Sequence, residues 1–135
     1  HTDAGGVVFH ANYLNFMENA RTELLQSLGF DPGALLREHK VFFVVHSANI
    51  AFRKPALLND MLDVTAEVTR ASRARLVFAQ QVKKGGSILV EAEITIACVD
   101  PQTHKPIPVP RDVYGAFEAA RAEEPAPEPE SEKTS

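Results

Sequence analysis

Ile88-Leu89-Val90-Glu91-Ala92-Glu93-Ile94-Thr95-Ile96-Ala97-Cys98 is the longest alternating stretch of this 135-residue chain. Ile88, Val90, Ala92, Ile94, Ile96 and Cys98 fall on one side, and Leu89, Glu91, Glu93 and Thr95 on the other. A period of two sends neighbouring side chains to opposite faces, so the stretch predicts a strand with one face on a core. Working outward, Leu76, Phe78 and Val82 form a second alternating set, joined to the first by a tight hairpin at Gly85-Gly86. Leu62, Val64, Ala66 and Val68 alternate with Asp63, Thr65, Glu67 and Thr69. Ala48, Ile50 and Phe52 alternate with Ser47, Asn49 and Arg53, and Pro55 ends that run. Four antiparallel strands are expected.

Ahead of the strands the period becomes helical. Tyr13, Phe16, Met17, Ala20, Leu24 and Leu28 share one stripe, which predicts a helix over Asn12–Leu28 with Asn12 as N-cap and Gly29 as the stop. A helix of that length spans about 25 Å, enough to cross a small sheet. Asp31-Pro32 reads as the cap and first residue of a short helix running to His39. Asp100-Pro101 is expected to close the sheet, with Pro106, Pro108 and Pro110 keeping the next segment extended before a short helix over Arg111–Arg121. One long helix on one face of four strands makes an α+β domain over residues 1–122. Residues 123–135 are too rich in Pro and Glu to bury a core and are expected to be a disordered acidic tail.

The net charge of −4 resides in that tail, whose five glutamates and one lysine leave the body formally neutral. This charge pattern gives no support to nucleic-acid binding. No apolar run approaches the ~20 residues of a membrane span. Cys98 is the only cysteine, which excludes an intramolecular disulfide and favours a reducing, cytoplasmic setting. His39 and His104 have no partners at metal-ligand spacing, so neither a metal site nor a cofactor is expected.

The chemistry gathers at the start, in His1-Thr2-Asp3-Ala4-Gly5-Gly6-Val7-Val8-Phe9-His10-Ala11-Asn12-Tyr13. A carboxylate on a glycine-hinged loop faces the beginning of a helix. The helix start offers unpaired N–H groups to an oxyanion, and the carboxylate can act as base or nucleophile. Taken alone, Asp3 before glycine is more simply a turn residue, and a lone His10 more simply structural. With Phe16-Met17-Glu18-Asn19-Ala20-Arg21-Thr22-Glu23, Phe43-Val44-Val45, Arg53-Lys54-Pro55-Ala56, Leu58-Asn59-Asp60, Leu76-Val77-Phe78 and Cys98-Val99-Asp100-Pro101, however, the motif resembles the hotdog-fold acyl-CoA thioesterases. The resemblance is to the YbgC-like branch of the 4-hydroxybenzoyl-CoA thioesterase family and covers about residues 1–118.

The resemblance implies an antiparallel sheet wrapped around one long central helix, with a first strand that precedes His1 and is absent from this chain. It implies hydrolysis of acyl-CoA to free acid and coenzyme A, with Asp3 attacking the thioester or activating water. The backbone N–H of His10 would polarise the carbonyl, and Gly5, Gly6 and Val7 would lie against substrate. Arg73 and Arg75 match a region that contributes nucleotide contacts in such enzymes, although a solvated charge cluster is the plainer account of them. Homodimers or homotetramers with active sites between protomers, and acyl carrier protein as a partner, come with the resemblance; no docking motif for that carrier is visible. A non-hydrolytic acyl-thioester binding or scaffolding protein is the alternative, distinguished by binding without thiol release.

Overall fold

The computed structural model describes residues 10–57 and 59–123, with side chains at 10, 11, 122 and 123 excepted. Asp3, Gly5, Gly6, Val7, Leu58 and residues 124–135 lie outside the described residues. The elements are α1 (His10–Ser27), α2 (Pro32–His39), β1 (Phe42–Phe52), β2 (Asp63–Val64), β3 (Glu67–Ala71), β4 (Leu76–Lys84), β5 (Ser87–Val99), β6 (Pro106–Ile107) and α3 (Arg111–Glu123). The strands form one antiparallel sheet in the order β1-β5-β4-β2, with β3 also on β4 and β6 on β5.

Helix α1 begins at His10, two residues before the expected cap, so Asn12 lies inside its first turn. At the other end Gly29, at φ +95°, takes the left-handed position. Its N–H donates to Gln26 O (2.9 Å) and that of Phe30 to Leu25 O (3.2 Å), the paired bonds that close a helix on glycine. Asp31 caps α2 as the sequence predicts, its Oδ2 accepting from the Ala34 N–H at 2.9 Å.

The sheet departs from simple alternation where bulges insert a residue. Lys83 pairs with Ile88 but Val82 with Val90, which leaves Leu89 as the extra residue. The bulge turns Leu89 into the core (3% exposed), not onto the Glu91 face that alternation assigns. β1 starts at Phe42 rather than near Ser47, and a second bulge at His46 keeps Phe43 and Val45 on the same face as Ala48 and Ile50. The run 62–69 forms two short strands, β2 and β3, interrupted where the Thr65 N–H bonds Gln81 O at 2.9 Å. Asp100 does not end the sheet; its Oδ1 accepts from Gln102 and Thr103 N–H (2.8 and 2.9 Å) and turns β6 back onto β5.

One face of the sheet is covered by α1 and α3. Tyr13, Met17 and Leu25 of α1 and Val113 and Phe117 of α3 share a core with Val68, Leu76, Phe78, Val82, Val90, Ile94 and Cys98. The other face is polar, with Glu67, Glu91, Glu93, Asn49, Thr65 and Gln81 around a hollow of about 500 Å³. Among the described residues no helix is long and apolar enough to cross a membrane.

Candidate active site

The residue expected to start the chemistry from the helix, His10, opens α1. The peptide dipoles of a helix add up to a partial positive charge at its N-terminal end, and this is that end of α1. Tyr13 fixes it in place. Its hydroxyl accepts the Ala56 N–H at 3.1 Å, and its ring, 2% exposed, sits against Phe16 and Phe52 at 6.3 and 5.9 Å. Burial raises the Tyr13 phenol pKa, the Ala56 bond opposes that, and the Asp60 charge adds to it. Asp60 braces the same loop, accepting from the Leu57 N–H (2.7 Å) and pairing with Lys84 (3.0 Å). Those two contacts, the Leu57 bond first, hold its carboxyl below the usual range.

One turn along, Gln80 ties α1 to the sheet. It is 1% exposed; its Nε2 donates to Met17 O (2.9 Å) and Thr65 O (3.1 Å), and its Oε1 accepts from Arg21 at 2.8 Å. Both amide ends are satisfied, which burial of a polar side chain requires. Burial lowers the pKa of Arg21, with Glu18 opposing.

Beside α1 lies a cavity of about 750 Å³, within the usual range for small-molecule sites. Its α1 wall runs from Leu14 to Leu25, a length of about 16 Å. The floor is Val45, Ala48, Ile94, Ile96, Leu76 and Phe78, and α2 and α3 add Leu36 and Phe117. Arg21, Glu18 and Thr22 supply polar groups along the helix side.

Arg73 and Arg75 are elsewhere. Tyr13 packs on Phe52, which is level with Val90 and Val82, whereas the two arginines flank the turn before Leu76. Val82 is six residue steps along β4 from Leu76, about 20 Å. Arg73 Nε donates to Val109 O (2.6 Å), and Val109 N–H returns a bond to Arg73 O (2.7 Å), so this side chain clasps the Pro-rich segment. Arg75 Nη2 lies 3.3 Å from His46 Nε2 at the β1 bulge. Cys98 is buried, and burial pushes its thiol up to about 12. Among the described residues no group of three His, Cys, Asp or Glu side chains is placed to hold a metal ion.

Nothing in the sequence pattern marks Leu36 or Phe117 as lining a site. Gln80 did leave a signal: it interrupts the Leu76, Phe78, Val82 set at a core-facing position.

Residues 5–91 match the Thioesterase superfamily. The chain is 42% identical over 116 residues to the acyl-CoA thioesterase YbgC of Haemophilus influenzae, covering 86% of this chain and 85% of that one. It is 32% identical over 107 residues to the long-chain acyl-CoA thioesterase FadM of Escherichia coli (78% and 80% covered). Among solved structures, the DHNA-CoA thioesterase of Staphylococcus aureus superposes with a TM-score of 0.82 at 26% identity, covering 90% of this chain and 83% of that one. A probable thioesterase of Bartonella henselae gives 0.75 at 35% identity (80% and 89%). The fold is the hotdog fold expected from the sequence.

Proposed function

This chain belongs to the thioesterase superfamily, in its YbgC-like branch, and from that premise we propose that it hydrolyses acyl-CoA thioesters to free acid and coenzyme A. The observation that carries the proposal is the extent of identity to proteins named as YbgC acyl-CoA thioesterases. A helix start anchored beside an apolar cavity supports it, because a thioester needs donors at its carbonyl and room for its acyl group.

Asp3 is the base or the nucleophile. As base it takes a proton from water, and the water oxygen attacks the carbonyl carbon. The oxyanion is held by the His10 N–H and the positive end of α1. When the tetrahedral species collapses, the C–S bond breaks, and the proton passes from Asp3 to the departing thiolate. Gly5, Gly6 and Val7 let the backbone approach the thioester. No metal or organic cofactor enters this scheme.

The same proposal includes a homodimer or homotetramer acting in the cytoplasm. β1 is an edge strand carrying exposed Phe42, Val45 and Phe52, a surface suited to a second copy. The separation of Arg73 and Arg75 from the α1 start is consistent with their meeting the phosphates of a coenzyme A whose thioester lies on another protomer. Acyl carrier protein presents the same thioester and is a second substrate carrier.

Asp3→Asn tests the chemistry: with folding preserved, kcat for thiol release is expected to fall by about 100-fold or more. Near wild-type turnover in a folded Asp3→Asn or Asp3→Ala protein removes Asp3 from the mechanism.

A further inference from the structure

The cavity beside α1 is open at one side and blind at the other. On the open side, along the β1 surface suited to a second copy, Leu14, Phe42 and Val45 are 48%, 48% and 53% exposed in the single chain. On the blind side Phe78 of β4 and Phe117 of α3 meet edge to face, with centroids 5.7 Å apart at 88°, and are 3% and 1% exposed. Only β5 lies between β1 and β4, so the crevice crosses two strand spacings, about 10 Å, before it meets the rings.

We propose that the Phe78–Phe117 pair is the stop that sets the longest acyl chain this protein accepts. This rests on the acyl-thioester proposal above and adds the residue that measures the chain. A saturated chain entering beside Leu14 exchanges water for Val45, Ile94, Ile96 and Leu76, and its terminal methyl ends against the Phe117 ring. Each methylene buried this way is worth about fourfold in affinity until the ring is reached. The edge-to-face contact holds both rings, so a longer chain must displace packed aromatic side chains rather than slide past a mobile one. Phe78 lies within residues 5–91, the span that matches the superfamily, and Phe117 of α3 lies beyond it, so the stop joins the two across the core.

Two measurements on the full chain test it: kcat/KM for straight-chain acyl-CoAs from butanoyl to palmitoyl, and calorimetric Kd for the matching S-alkyl-CoA thioethers, which bind without turnover. Wild type is expected to improve with length to a limit and then stop improving. Phe117→Leu and Phe117→Ala move that limit outward by at least two carbons, with about a tenfold gain for the first chain beyond it. Thr22→Phe, which narrows the cavity from α1, moves the limit inward. An unchanged limit in a folded Phe117 variant overturns the stop. If neither Phe117 variant folds, Phe78→Leu and Thr22→Phe decide, and unchanged limits in both overturn it. Length-dependent thioether binding without hydrolysis overturns the hydrolase proposal and leaves the stop standing. Hydrolysis with thioether affinity independent of length does the reverse.

Discussion

The two ends of the sheet are held together by different physics. At the end where α1 begins, and one turn along it, Tyr13 and Gln80 are almost fully buried and every bond they make replaces one that water could have supplied. At the end where β3 turns into β4, Arg73 and Arg75 make their bonds at a solvent-accessible surface. A buried donor or acceptor left without its partner costs its full desolvation, whereas an exposed one returns to water. The start of α1 is therefore held by buried bonds, while the arginine turn is held by bonds that water can replace.

The contrast is broken most severely at Gln80. Gln80→Ala removes the side-chain partner of Thr65 O and of the half-buried Arg21 guanidinium and a second donor from Met17 O, and is expected to cost about 3 kcal/mol, or a melting temperature lower by about 10 °C. Tyr13→Phe removes a single acceptor from the Ala56 N–H and keeps the ring packing, so urea denaturation should give about 1–2 kcal/mol. If Gln80→Ala matched wild type in stability, the α1 end would not be the stronger of the two.

At the other end Arg73→Met loses the Val109 contact at a half-exposed site, and about 1 kcal/mol is expected. Its second readout separates clasp from substrate contact. A phosphate role raises KM for an acyl-CoA by about fivefold while leaving KM for the corresponding acyl-pantetheine unchanged. A purely structural role changes both alike.

Much of this architecture is legible from period alone. Alternation locates the strands, the 3.6 period locates α1, and Asp31-Pro32 marks the start of α2. Where that legibility ends has physical causes. Leu89 and His46 sit at bulges, and a bulge is fixed by which partner residue is skipped, not by the strand's own pattern. The Arg73–Val109 clasp joins residues 36 apart through a chain reversal that no local signal encodes. Phe117 is visible as part of a short helix, but not as the ring that meets Phe78 across the core. Asp3, Gly5, Gly6 and Val7 rest on resemblance, because a carboxylate before glycine is locally an ordinary turn.

The smallest effect separates the two ends by pH. Asp60 near the α1 start and Asp100 in the β5–β6 turn are both held below the usual carboxylate range, chiefly by backbone N–H donors: Leu57 for Asp60, Thr103 and then Gln102 for Asp100. A depressed folded-state pKa means that each contributes stability fully above the unfolded value near 4 and loses it as pH falls through the folded one. Urea denaturation between pH 7 and pH 3 should therefore show stability declining at the acid end. Asp60→Asn and Asp100→Asn should each be less stable at pH 7 and show a shallower acid decline. Stability that rose toward pH 3 would contradict both assignments. Activity then distinguishes the ends: Asp60 braces the loop that Tyr13 grips, so Asp60→Asn should lower kcat at pH 7, whereas Asp100→Asn should leave it near wild type. Equal losses in the two variants would mean that the helix start is no more sensitive to its supports than the far turn is.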